Sequence, residues 1–122
     1  GLSEPLHFTS LLEFEFLQAI ELQVWLHSND RTRGYGRKEA DKMITAWEAD
    51  IASGLNRLVP FDMDVVLKLS RGHSLRFTSS GGHRTLDILH VATAVHLGAE
   101  KFLTFDSRQK ALAEHAGLEV LR

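Results

Sequence analysis

The chain has 122 residues, 43% of them hydrophobic and 25% charged, with no cysteine and a formal net charge of −2. The length suits one domain around a single core, and the missing cysteine excludes disulfides, thiolate metal sites and thiol nucleophiles. A slightly negative molecule exerts no overall pull on nucleic acid, so a polyanion would have to be held by a local basic patch or by metal ions.

No apolar run reaches the roughly 18 residues of a membrane span, and no signal-peptide pattern opens the chain. The expectation is therefore a cytoplasmic protein with no membrane association. Gly1-Leu2-Ser3, without Met, reads as a processed or truncated start.

Thr9-Ser10 precedes an apolar-periodic stretch that predicts a helix over 11–27, and Ser10 with Glu13 three residues on reads as a capping box. Residues 29–36, rich in Gly and polar side chains, read as a loop. A helix is expected over 37–53, with Ala40, Met43, Ile44, Trp47 and Ile51 on one face and Gly54 at its end. A short strand at 57–60 is stopped by Pro60, and Asp62 or Asp64 caps a helix reaching about residue 76. Residues 79–82 (Ser-Ser-Gly-Gly) read as a flexible connection.

A helix over 85–97 closes at Gly98, and 101–105 (Lys-Phe-Leu-Thr-Phe) has the pattern of a short buried strand. Asp106-Ser107 then caps a helix to 116, Gly117 closes it, and 118–121 is the last strand. Helix, strand, helix, strand in that order predicts parallel βαβ pairing, and the fold class is α/β.

Three acids stand where acids need a reason. On a helical wheel Glu15 falls among Leu11, Leu12, Ala19, Leu22 and Leu26, whereas Glu13 and Glu21 lie well around the helix. A carboxylate within a buried stripe costs several kcal/mol unless a cation or hydrogen-bond donor meets it; a salt bridge is the plain alternative to a ligand role. Asp87 lies in the first turn of its helix, where the dipole favours an acid in any case, yet it borders the almost wholly apolar Ile88-Leu89-His90-Val91-Ala92. Asp106 follows the 101–105 strand, and open α/β sheets bind ligands at the carboxyl ends of strands; it also suits an N-cap. Hard divalent cations take oxygen ligands of this kind, and such an ion would relieve the repulsion among clustered acids and support phosphodiester hydrolysis.

Residues 84–94 (Arg-Thr-Leu-Asp-Ile-Leu-His-Val-Ala-Thr-Ala) and 102–109 (Phe-Leu-Thr-Phe-Asp-Ser-Arg-Gln) closely resemble the C-terminal half of PIN domains. Residues 9–16 (Thr-Ser-Leu-Leu-Glu-Phe-Glu-Phe) resemble the helix that carries that family's middle acid, and the blocks match in order and spacing over residues 5 to 122.

The resemblance implies a three-layer α/β domain with a central parallel sheet flanked by helices. It also implies a metal-dependent endoribonuclease of the VapC toxin type, binding Mg²⁺ or Mn²⁺. By motif position Glu15, Asp87 and Asp106 become catalytic metal ligands, with Glu13 the rival of Glu15 and Thr104 placed to position a water or ligand. It further implies an RNA substrate, a cognate antitoxin that blocks the acid pocket, and a homodimer. The family's first acid ends an N-terminal strand, and nothing upstream of Leu6 supplies it. The expectation is a fragment of a longer protein lacking that strand; a non-catalytic PIN-like module binding RNA or protein is the alternative.

Arg71, His73, Arg76, His83 and Arg84 gather before Asp87, either as a solvated helix end or as a patch gripping RNA phosphates, the arginines in the lead. Arg31, Arg33, Tyr35, Arg37 and Lys38 form a second basic stretch, readable as RNA contact or partner loop alike. His90 and His96, six apart on one helix, do not make a zinc pair, and His90 reads as packed beneath the acids. Trp25 and Trp47 are expected in the core.

Overall fold

A computed structural model of the chain describes residues 5–99 and 107–121, together with the backbone pairing of 101–103. The chain divides into two compact units, Gly1–Pro60 and Phe61–Arg122. Each contains a parallel strand pair with helices, so the α/β class and its parallel pairing are as expected.

In the first unit β1 (Leu6–Phe8) leads into α1 (Ser10–Asn29), followed by α2 (Arg37–Ala52) and β2 (Asn56–Leu58). Thr9, in extended conformation, caps α1, its hydroxyl accepting from Leu12 N at 3.3 Å. The helix thus begins one residue earlier than the Ser10–Glu13 pattern suggests, and Glu13 is used elsewhere. Its carboxylate accepts from Trp47 Nε1 at 2.9 Å. The Trp47 ring lies 4.8 Å, centroid to centroid, from both Phe8 and Phe16.

That cluster selects which side of α1 turns inward. Ile20 is buried and Phe16 half-buried, while Leu12, Ala19 and Leu22 are exposed. The stripe around Glu15 is therefore not the side that buries most deeply. Trp25, expected in the core, is 58% exposed. The cause is an apolar composition spread around the helix, which gives the wheel no single preferred face.

β1 and β2 pair in the register Leu6↔Asn56, His7↔Arg57 and Phe8↔Leu58, extended by Leu6 N to the Leu55 carbonyl and Val59 N to the Phe8 carbonyl. β1 is absent from the sequence expectation because three residues, of which only Phe8 is buried, carry no readable alternation.

The second unit runs α3 (Met63–His73), a π-helical turn (Ser74–Thr78), α4 (Ser79–Gly81), α5 (Thr85–His96), β3 (Lys101–Leu103), α6 (Ser107–His115) and β4 (Glu119–Leu121). Asp62 caps α3, accepting from Asp64 N at 3.0 Å and Val65 N at 3.3 Å. Asp62 N in turn donates to His96 Nε2 at 3.4 Å, tying the start of α3 to the end of α5. The expected flexible connection at 79–82 is instead helical as far as Gly81. Neither Ser nor a single Gly forbids a helix, and the chain turns only at Gly82, whose φ of +66° is left-handed.

β3 and β4 pair in parallel with α6 between them, the βαβ arrangement the helix–strand order predicts. Behind it Ile88 and Val91 of α5 pack with Leu112 and Ala113 of α6 and with Leu118. Among the described residues no helix is long and apolar enough to cross a membrane.

Leu112 has no exposed surface. Leu112→Ala should therefore lower the unfolding free energy by about 2–5 kcal/mol, read as a fall in the urea midpoint with an unchanged slope.

Candidate functional site

Of the three acids that the sequence singles out, Asp87 lies in the second unit. α5 begins at Thr85 after Arg84, which caps it through its extended backbone and makes no side-chain cap bond. Asp87 lies in the first turn, half-buried, and Gln109 Nε2 donates to its Oδ1 at 3.3 Å. Gln109 belongs to the first turn of α6, so the starts of two helices meet at this carboxylate. Both dipoles present their positive ends there, which favours a carboxylate and any further anion.

The core described above lies immediately behind, with Ile88 next in sequence to Asp87, and it fixes α5 against α6. His90, as expected, is buried at 8% exposure. Gln109 is a partner to which the sequence pattern assigns no role. Its signal is its place at the end of the 102–109 block, but an amide on a helix surface has many possible partners.

Glu15 lies on α1 of the first unit and is half-buried. Its rival, Glu13, holds the Trp47 indole, a structural task that accounts for a carboxylate there. Asp106 and Thr104 lie outside the described residues. Among the described residues no three His, Asp or Glu side chains gather as metal ligands.

The basic cluster before Asp87 separates into two kinds of residue. Arg71, Arg76 and Arg84 are exposed, and none forms an ion pair with a described residue. The two histidines turn inward. His73 is 9% exposed, and His83 packs its ring against Gly81, where a Cβ would collide with it. The Nδ1 atoms of His73 and His83, with Ser70 Oγ and Thr78 Oγ1, are buried without a hydrogen-bond partner among the described residues.

His73 and Thr78 stand five residues apart across the π-helical turn. An α-helix sets residues five apart about 140° from each other, whereas i→i+5 closure brings them toward one side. The wider turn explains how both direct polar atoms inward. Burial pushes the His73 imidazole below its ordinary range, and the Arg76 charge adds in the same direction. His73 therefore contributes little of the patch's positive charge at neutral pH.

A family model described as PIN domain matches residues 3–115 of the chain. No curated protein and no solved structure matches it.

Because His73 binds its proton more weakly folded than unfolded, the unfolded chain holds more protons between the two pKa values. The stability contributed by neutral His73 is complete above the unfolded value of about 6.5 and is lost as pH falls from there through the lower folded value. The urea midpoint should drop between neutral pH and pH ~5, and His73→Leu should flatten that part of the profile; equal slopes in both proteins would refute the assignment.

Proposed function

Because the chain belongs to the PIN domain family, whose members are generally nucleases that use divalent metals, we propose that it is a metal-dependent endoribonuclease cleaving RNA phosphodiester bonds. The observation that carries this reading is Asp87. It is a half-buried carboxylate at the meeting of two helix starts, within the most specific block of the family resemblance, in the same unit as three exposed arginines without ion pairs to described residues.

The donor set suits Mg²⁺ or Mn²⁺. It offers carboxylate oxygens from Asp87 and, by motif position, Glu15 and Asp106, and the chain has no thiolate to favour a softer ion. When bound, such an ion would acidify a water and offset charge on the phosphate. The chain's own residues do the rest. Gln109 donates to one oxygen of Asp87 and so helps orient the carboxylate. Arg71, Arg76 and Arg84 supply the positive charge that a chain of net charge −2 otherwise lacks, gripping phosphates so that the scissile bond is held in place. Thr104, two residues before Asp106, is proposed to position a water or a ligand.

The resemblance to VapC-type toxins extends the proposal to a homodimer and to a cognate antitoxin whose peptide occupies the acid pocket. A non-catalytic PIN-like module that binds RNA or protein is the competing reading.

Calorimetric titration with Mn²⁺ separates the two. The nuclease should bind the ion, and Asp87→Asn should weaken binding and RNA cleavage by more than roughly tenfold while leaving the circular dichroism unchanged. RNA should be cleaved in preference to small phosphomonoesters. A folded protein that binds no Mn²⁺ and cleaves no RNA would establish the module instead.

A further inference from the structure

Residues 30–36 of the first unit form a loop whose shape is set from within. The Asp30 carboxylate accepts from Thr32 N at 3.0 Å and from Thr32 Oγ1 at 2.7 Å, and Arg33 N donates to the Asp30 carbonyl at 2.9 Å. His27 Nδ1 donates to the Arg33 carbonyl at 3.1 Å. Gly34 takes a left-handed φ of +59° and lies so close to the Gln23 carbonyl that a Cβ would collide with it. These interactions hold the backbone and leave the Arg31 and Arg33 side chains exposed.

The charges around the loop are unevenly matched. Arg37 is neutralised twice over, by Glu21 at 2.5 Å and Asp41 at 3.4 Å, and Lys42 pairs with Glu39 at 3.4 Å. Arg31, Arg33 and Lys38 form no ion pair with any described residue. Arg37 and Lys38 also open α2, at the end of a helix where the dipole disfavours cations. Positive charge is thus concentrated on a preshaped backbone against local electrostatic preference, an arrangement that an approaching polyanion relieves.

The loop's composition indicates which polyanion. Residues 29–38 contain no aliphatic side chain longer than threonine, and Tyr35 is their single aromatic. Protein interfaces seat their Tyr, Trp and Arg anchors in a well-packed apolar centre and are poor in Lys, whereas nucleic-acid interfaces are more polar and much richer in positive charge. We propose that this loop contacts the phosphate backbone of single-stranded RNA through Arg31, Arg33 and Lys38, with Tyr35 as a stacking surface for a base. The assignment rests on the ribonuclease reading for its ligand and adds a binding element beyond Arg71, Arg76 and Arg84.

The test is fluorescence anisotropy of a labelled single-stranded RNA of mixed sequence with the full chain, in EDTA so that the RNA stays intact, across NaCl from about 50 to 200 mM. Replacing both Arg31→Ala and Arg33→Ala should weaken binding several-fold. The same double variant should make the plot of log K against log salt shallower by about 1.4, roughly 0.7 for each phosphate no longer neutralised. Gly34→Ala keeps every charge, yet it should weaken RNA binding too, because it deforms the support; circular dichroism checks that each variant is folded.

Wild-type affinity and salt slope in the double variant, with binding abolished on replacing Arg71, Arg76 and Arg84, would overturn the loop assignment and leave the ribonuclease reading intact. No RNA binding by the wild-type chain would overturn both. Equal binding of a labelled polyglutamate peptide, weakened to the same degree by the double variant, would reassign the loop to acidic protein partners.

Discussion

The second unit depends on the need to bury α5 on nearly every side. Ile88 and the consecutive His90, Val91, Ala92 and Thr93 are all buried, which no helix lying on a single surface allows. α3 covers one side of it and α6 another, with Leu118 closing the apolar cluster. The polar members have to be accommodated within that burial, and Thr93 does so by donating its hydroxyl to the Leu89 carbonyl at 2.6 Å. Asp87 stands at the rim of this packing, one residue before the buried run begins. Its position follows from the same core that holds α6, and with it Gln109, in place.

Much of this organisation is legible in the residues. Asp62 marks the start of α3, Gly54, Gly98 and Gly117 follow helix ends with positive φ, and the helix–strand order from residue 85 predicts the parallel pairing of β3 with β4. These are short-range signals, decided by backbone sterics and capping, and neighbouring residues contain them. The inward side of α1 is of another kind. Leu, Phe and Trp occur all round the helix, and the choice is made by Trp47, some thirty positions away, which brings Phe8, Phe16 and Glu13 together. A wheel drawn on one helix cannot contain that partner. The motif places Asp87 at a helix start, as found, but its hydrogen bond from Gln109 depends on the packing of α5 against α6.

The charged residues show why a count of basic side chains says little about binding. The sequence presents two basic stretches of similar appearance. In one, His73 and His83 turn into the protein and leave three arginines outside. In the other, Arg37 is held by two carboxylates, and the Glu21 carboxyl is lowered chiefly by its hydrogen bond from that guanidinium. Arginines bound within the chain stabilise helix packing modestly, as exposed pairs do. Those without an ion pair among the described residues are the ones with field left to offer a ligand, and only the folded structure distinguishes the two groups.

The π-helical turn at Ser74–Thr78 has a consequence for how this segment tolerates change in length. Ser-Ser-Gly-Gly stretches are ordinarily spacers in which a residue gained or deleted passes unnoticed. Here the serines continue a helix whose angular phase is offset by the widened turn, so adding or deleting one residue would rotate everything between it and Gly82 by about a quarter of a turn. The segment that resembles a tether is thus a continuation of the helix, and its direction is set by the turn before it.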